Sequence, residues 1–276
     1  MKQVKFITGL MAFGMVSLFA GCGEKENEMT KVTLNEVAHS IFYAPQYVAL
    51  ENGYFTQEGL DLDLVTGYGA DKTMAAVISG EAQIGFMGAE ASVYAYLEGA
   101  NDPVINFAQG TQRAGNFLVA REEMADFQWS DLKGKEVLGG RKGGMVFEYI
   151  LKENGLDPEK DLSIDQSIDF GSTAAAFSGG KGEFTVEFEP AATTLEKNGD
   201  GFVVASLGVD SGYVPYTSYS AKNSYVEKHP EIIQAFTDGL QKGVDYVNSH
   251  TAEEIAKVIQ PQFKENDLDT ITRIVE

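Results

Sequence analysis

Twice along the chain, short β-prone runs alternate with helix-patterned segments, and this alternation restricts the fold more than any other feature. In the first series residues 32–37, 60–65, 83–87 and 104–108 read as strands, and residues 44–52, 70–78 and 89–97 read as helices. In the second, residues 135–138, 162–168, 184–188 and 202–205 read as strands, and residues 146–153, 173–177 and 191–197 as helices. Such alternation gives an α/β fold, a largely parallel sheet with helices packed on its faces. The spacing therefore predicts an α/β lobe built twice, and 276 residues with 43% apolar content suffice for two lobes of ~100–150 residues. A local echo supports the duplication. Val77-Ile78-Ser79-Gly80-Glu81-Ala82-Gln83-Ile84 and Ala176-Phe177-Ser178-Gly179-Gly180-Lys181-Gly182-Glu183-Phe184 each run from a helix end through a Ser-Gly stop and a charged turn into a strand.

Residues 116–121 and 214–221 are extended stretches lying where a chain would leave the first lobe and return to it, and they are the expected hinge. Lobe I is accordingly assigned residues 32–115 and 222–276, and lobe II residues 116–221. Beyond the return the pattern is helical only. Residues 230–249 place Ile233, Phe236, Leu240, Val244 and Val247 on one stripe, and residues 252–259 and 268–275 follow, all expected to pack back on lobe I. The last amphipathic segment reaches Glu276 with no glycine or proline to end it, so the chain is expected either to stop abruptly or to continue in a longer sequence.

The N-terminus carries Lys2 and Lys5, an apolar run over residues 6–20, and Leu18-Phe19-Ala20-Gly21-Cys22. That run is shorter than the roughly 20 residues a membrane-spanning helix needs. Small residues directly before the sole cysteine point to an export signal of the lipoprotein kind, residues 1–21, cut before Cys22, whose thiol would carry a diacylglycerol anchor. Residues 22–31 are nearly devoid of apolar side chains and read as a flexible tether. The remainder would then lie outside the cell membrane or in a periplasm, held by lipid, without disulfides or thiolate chemistry. With 41 acidic against 21 basic residues, the long-range field repels nucleic acid and anionic lipid. No nucleic-acid partner is expected, and the chain is expected to act as a monomer.

In open α/β sheets a ligand sits beyond the carboxyl ends of the strands, where helix N-termini offer backbone N–H groups. The loops so placed are Gly67-Tyr68-Gly69-Ala70-Asp71, Gly88-Ala89-Glu90, Gly139-Gly140-Arg141-Lys142-Gly143-Gly144, Gly171-Ser172-Thr173 and Glu187-Phe188-Glu189-Pro190. Helix capping alone would also account for Asp71, Glu90 and Ser172; convergence of all these loops on one cleft favours a binding role. The candidate ligand-binding residues are Tyr43, Tyr68, Gly69, Ala70, Gly88, Glu90, Gln112, Arg113, Arg141, Gly143, Glu187, Glu189, Tyr213 and Tyr216. The tyrosines could stack on a flat heterocycle and bond its edge. Glu187 and Glu189 alternate along one strand and face one side, where carboxylates would accept from ring amino groups and repel nitrate or sulfonate. Gln112-Arg113 and Arg141-Lys142 could instead pair with an anion. Trp129, Tyr54 and Phe55 read as packing residues.

The segment His39-Ser40-Ile41-Phe42-Tyr43-Ala44-Pro45-Gln46-Tyr47, continuing through Asn52-Gly53-Tyr54-Phe55 to Glu58-Gly59-Leu60, resembles the opening of one family of ABC-transporter solute-binding proteins, those for nitrate, sulfonates, taurine and thiamine pyrimidines. Ser79-Gly80-Glu81-Ala82-Gln83-Ile84-Gly85, Asp131-Leu132-Lys133-Gly134-Lys135 and Glu187-Phe188-Glu189-Pro190 extend the similarity. The resemblance implies a two-lobed type II periplasmic-binding-protein fold that closes on a small solute, with ABC permease and ATPase subunits as partners and no cofactor. It also implies a longer C-terminal helical region than residue 276 allows. Pyrimidine-binding members use an acidic residue in the segment of Glu187 and Glu189, which favours a thiamine pyrimidine precursor or similar heterocycle, with nitrate, alkylsulfonate or taurine as the alternative.

An enzyme reading fits less well. Related thiamine-pyrimidine-making enzymes, which use pyridoxal phosphate and iron, carry a cysteine-rich run at the return crossover, where this chain has Gly212-Tyr213-Val214-Pro215-Tyr216-Thr217. His39, His229 and His250 are too dispersed for a metal site. There is no Gly-x-Ser-x-Gly elbow and no nucleotide-binding glycine fingerprint. A ligand-sensing half of a regulator is opposed by the export signal.

Overall fold

A computed structural model describes residues 29–139 and 145–276. The export signal, Cys22 and most of the tether lie outside the described residues, as do Arg141 and Gly143. The first series forms β1 (Thr30–Glu36), α1 (Ala44–Glu51), α2 (Tyr54–Gln57), β2 (Leu60–Thr66), α3 (Ala70–Ser79), β3 (Ile84–Gly88), α4 (Glu90–Leu97) and β4 (Val104–Gln109). The second forms β5 (Asn116–Ala120), β6 (Glu136–Leu138), α5 (Met145–Glu153), β7 (Ser163–Asp165), α6 (Phe170–Ser178), β8 (Phe184–Phe188), α7 (Ala191–Asn198), β9 (Phe202–Ser206) and α8 (Leu207–Asp210). The chain then runs through β10 (Thr217–Lys222), α9 (Asn223–Lys228), α10 (Pro230–Ser249), α11 (Ala252–Ile259) and α12 (Leu268–Val275).

The two sheets share one plan, with strand orders β2-β1-β3-β10-β4 and β7-β6-β8-β5-β9. Each has a parallel core, β2-β1-β3 in one and β7-β6-β8 in the other. Each also takes in one strand that has just crossed from the opposite lobe, β10 in the first and β5 in the second, and these run antiparallel to both neighbours. The sheets are therefore mixed rather than largely parallel, because a strand entering from the other lobe starts at the end where the parallel strands finish.

The return to the first sheet starts at Thr217, ahead of the boundary expected at residue 222. Thr217, Ser218, Tyr219 and Ser220 are all buried between β3 and β4. Small hydroxyl residues fit a central strand covered on both faces, but in sequence they resemble a polar connection.

The first lobe's core joins Leu34, Val48, Phe55, Val77, Ile84, Phe86, Tyr219 and Phe236. The C-terminal helices complete it. On α10, Gly243 lies so close to α1 that a Cβ there would stand 2.2 Å from the Pro45 carbonyl oxygen. In the second lobe Leu118, Val137, Phe147, Ile150 and Val186 pack on one face of the sheet, and Val119, Leu138, Phe177, Ala192 and Leu195 on the other. Among the described residues no helix is long and apolar enough to cross a membrane.

Candidate functional site

The crossover strands that join the lobes are laddered together before they part. Val214 N–H donates to the Gln112 carbonyl at 3.0 Å, Tyr216 N–H to Thr111 at 3.2 Å, and Gly110 N–H to Thr217 at 2.8 Å. Beside them, Ser40 at the end of the first β1 turn donates its hydroxyl to the main-chain carbonyl of Glu189 in the opposite lobe at 2.7 Å. These contacts bring the ends of β1, β3, β5 and β8 to one place.

A polar cluster with aromatic walls occupies that junction. Tyr43, only 2% exposed, stands edge-on to Phe86 at 4.6 Å and tilted to Phe42 at 5.3 Å and Phe188 at 6.5 Å. Its hydroxyl lies near Thr217 without a hydrogen bond of ordinary geometry, and the Thr217 hydroxyl pairs with that of Thr111 at 2.5 Å. Burial, followed by the nearby Tyr216, Glu36 and Tyr219, holds the Tyr43 phenol well above its ordinary range. Tyr216 donates its hydroxyl to Asn116 Oδ1. Asn116 is 2% exposed, and its Nδ2 has no partner. An unsatisfied buried donor costs free energy in the folded chain unless something bonds to it.

Glu90 opens α4 and folds its carboxylate back over Gly88, where a Cβ would lie 2.3 Å from Oε1 and would push the carboxylate aside. Burial raises the Glu90 carboxyl above its usual range, partly offset by a bond to its own main chain. Tyr216 feels the negative charge of Glu90, which adds to burial in raising the phenol. Tyr216 thus lies near Tyr43 and the Gly88–Glu90 turn, and Asn116, Thr217 and Thr111 join them. The signals for these three are faint in sequence, since a lone asparagine at a strand start and threonines at a crossover have ordinary structural uses.

The carboxylates of Glu187 in β8 and of Glu189 just beyond it are not brought to this cluster. Glu187 pairs with Phe117 in the β5–β8 ladder, whereas Asn116 pairs with Phe188, so their side chains lie on opposite faces of the sheet. Glu187, 2% exposed, lies under α6 and accepts from the hydroxyls of Thr185 at 2.6 Å and Thr173 at 3.1 Å. Burial pushes its carboxyl up to about 7, against the lowering effect of those two hydroxyls. Glu189 instead caps α7, accepting from Thr193 N–H at 3.0 Å and the Thr193 hydroxyl at 2.9 Å. Its side chain lines a cavity of roughly 350 Å³ between the lobes with Phe42, Phe117, Glu196 and Arg273. The shared side of the strand was legible; that α6 covers one carboxylate and α7 engages the other was not.

The other candidates lie on the rim. Tyr68 has φ +55°, and its ring covers Gly171 of the opposite lobe, where a Cβ would come within 2.7 Å of ring carbon. Both line a second interlobe cavity of roughly 500 Å³ with His39, Pro190 and Phe263. Gly69 and Ala70 start α3, and the Asp71 carboxylate turns back onto Gly69 with Oδ1 unpartnered. Arg113 donates to the Gly208 carbonyl at 2.9 Å and stacks 4.3 Å over Tyr213, which is 71% exposed. Gln112 contributes its main chain to the hinge ladder. Gln112, Arg113 and Tyr213 therefore belong to the outer hinge rather than to the cluster.

A buried carboxylate unforeseen in the sequence, Glu36, supports the site from beneath. It accepts from Gln46 at 2.8 Å, Tyr47 at 2.8 Å and Thr66 at 3.0 Å, and lies 2.8 Å from His39 Nδ1. His39 bonds the Gln262 carbonyl at 2.9 Å and stacks on Phe263 at 4.6 Å, fastening the segment after α11 to the first lobe. Burial lowers the His39 pKa, but the bonds to Glu36 and Gln262 and the charges of Glu36 and Glu265 leave it raised overall. Among the described residues, no group of three His, Cys, Asp or Glu could hold a metal ion.

The family model described as "NMT1/THI5 like" matches residues 41–254. A protein of Bacillus subtilis (strain 168) named YtlA, with a proposed binding role, is 47% identical over 260 residues, which are 93% of this chain and 78% of that protein. Among solved structures, the alkanesulfonate-binding protein SsuA from Xanthomonas axonopodis pv. citri, bound to MOPS, superposes with a TM-score of 0.76 at 15% identity, covering 90% of this chain and 84% of that one. The periplasmic nitrate-binding protein NrtA from Synechocystis PCC 6803 gives 0.75 at 15% identity, covering 90% and 70%. At such identities these likenesses establish the fold, two α/β lobes of the periplasmic-binding-protein type.

Proposed function

The chain belongs to the NMT1/THI5-like family, and from that premise we propose that it is the extracytoplasmic solute-capturing subunit of an ABC importer. It is a binding protein, not an enzyme. The solute is a flat, amino-bearing heterocycle of the thiamine-pyrimidine-precursor type. The observation that carries this reading is the junction cluster, where Tyr216 lies near Tyr43, feels the charge of Glu90 and bonds the half-spent amide of Asn116. Among the described residues the nearby cations have other partners: Lys72 bonds Asp169, and Arg113 stacks on Tyr213. A carboxylate in the site disfavours nitrate and sulfonate and favours amino groups.

Capture works by closure. A solute touching both lobes stabilises the state in which they meet, and the laddered crossovers supply the hinge. The Cys22 thiol carries the lipid that keeps a monomeric chain at the outer membrane face, within reach of permease and ATPase subunits, a reading supported by the small-residue approach to that cysteine. Thermal-shift screening of the mature chain against thiamine precursors, flavins, nitrate and alkylsulfonates tests the solute class. A rise with aminopyrimidines is expected; a rise with the anions alone would give the cleft to an anionic solute.

A further inference from the structure

Asn116 combines two features that seldom coexist in a folded chain. It is almost wholly buried, and half of its amide is unspent. In the structure Tyr216 donates its hydroxyl to Oδ1, and Nδ2 is the available donor. Tyr216 is itself held in place through its main chain, which accepts from Ala89 N–H at 3.4 Å and donates to the Thr111 carbonyl at 3.2 Å. The same phenol meets the Asn116 amide at its hydroxyl and feels the charge of the Glu90 carboxylate, so the donor and the acceptor both lie near Tyr216.

We propose that Asn116 and Glu90, both near Tyr216, form a paired donor and acceptor that selects a solute carrying a hydrogen-bond acceptor beside an amino group. Asn116 Nδ2 donates to the ring acceptor, the Glu90 carboxylate accepts from the adjacent amino group, and Tyr43 closes the aromatic wall. Polar pairs of this kind discriminate strongly, since a solute lacking either group leaves a buried polar atom unsatisfied. The proposal rests on the heterocycle reading above and adds to it the two residues that read the edge.

Three small probes separate the parts: 4-aminopyrimidine presents both groups, 4-methylpyrimidine lacks the amino donor, and aniline lacks the ring acceptor. Calorimetric titration of the unmodified chain should show 4-aminopyrimidine binding at least tenfold more tightly than either of the others. Glu90→Leu should abolish the preference over 4-methylpyrimidine, and Asn116→Leu the preference over aniline, each leaving the other preference in place. Where Asn116→Leu lowers the melting temperature enough to prevent folding, Asn116→Ser takes its place, and Glu90→Leu tests its half independently. Equal affinity for all three probes would overturn the paired edge while leaving the heterocycle reading standing. Binding of nitrate or ethanesulfonate with none of the three would overturn both. Variants that weaken all three probes equally would reduce these residues to structural supports and overturn the proposal.

Discussion

Lys72 on α3 reaches across the cleft to Asp169, with Nζ 2.8 Å from the carboxylate, one residue ahead of α6 in the opposite lobe. The pair spans the two moving parts, next to the Tyr68 ring lying on Gly171, so its energy counts toward closure rather than toward the stability of either lobe. Both partners are partly exposed, which limits the contribution to below about 1 kcal/mol. Lys72→Met should therefore weaken solute binding by no more than about fivefold at low ionic strength. The difference should vanish in high salt, where exposed pairs are screened. Affinity measured at two salt concentrations checks this.

Tyr43→Phe should separate stability from binding. The hydroxyl is buried and has no protein partner, so its removal should leave the melting temperature unchanged or raise it, while solute affinity falls by about 0.5–1.5 kcal/mol for the lost hydrogen bond. Paired melting and titration experiments give the answer. A clear loss of stability would mean that the hydroxyl is satisfied in the free protein.

Glu187 gives the chain a pH dependence of defined sign. In the unfolded chain its carboxyl titrates near the ordinary 4.5, and in the folded chain near 7. Between these values the folded state holds a proton that the unfolded state releases, so stability is fully present below about 4.5 and falls as pH rises toward 7. Glu187→Gln keeps the shape and can still bond Thr185 and Thr173. It should raise the melting temperature at pH 8 and change it little at pH 4.5, with a gain of about 1–3 kcal/mol at the higher pH.

Gly243→Ala tests the α1–α10 contact. Alanine in a helix interior normally stabilises by up to about 1 kcal/mol. Here the new methyl would stand 2.2 Å from the main-chain oxygen of Pro45, an atom that cannot swing aside. Overpacking of this kind costs about 1–3 kcal/mol, so a net loss of stability in chemical denaturation is expected.

The residue patterns carried the fold further than the site. The 3.6-residue stripe of α10 and the parallel-sheet alternation are strong because many side chains repeat the same signal, and β8 and α10 through α12 start and end where their periodicity places them. Residues 214–221 are legible as an extended return, but the central position of β10 is not, because Thr217, Ser218 and Ser220 carry no apolar alternation. Their place at the centre of a sheet is decided by neighbours distant in sequence.

The site depends on such long-range relationships throughout. Tyr43, Glu90 and Tyr216 stood out as aromatic or charged residues at loop ends. Asn116 did not, because its value lies in an amide that only Tyr216, one hundred residues later, holds in place. Glu187 and Glu189 misled for the same reason: strand parity gave them a common side, and only the packing of α6 and α7 shows that Thr173 and Thr193 already occupy their oxygens.

The most direct test of the account is a calorimetric titration of the mature chain with an aminopyrimidine, alongside nitrate and ethanesulfonate, in the unmodified protein and in Glu90→Leu. Saturable binding of the aminopyrimidine that Glu90→Leu weakens about tenfold, with no heat from the anions, is the predicted result. Binding of either anion with none of the aminopyrimidine would contradict it.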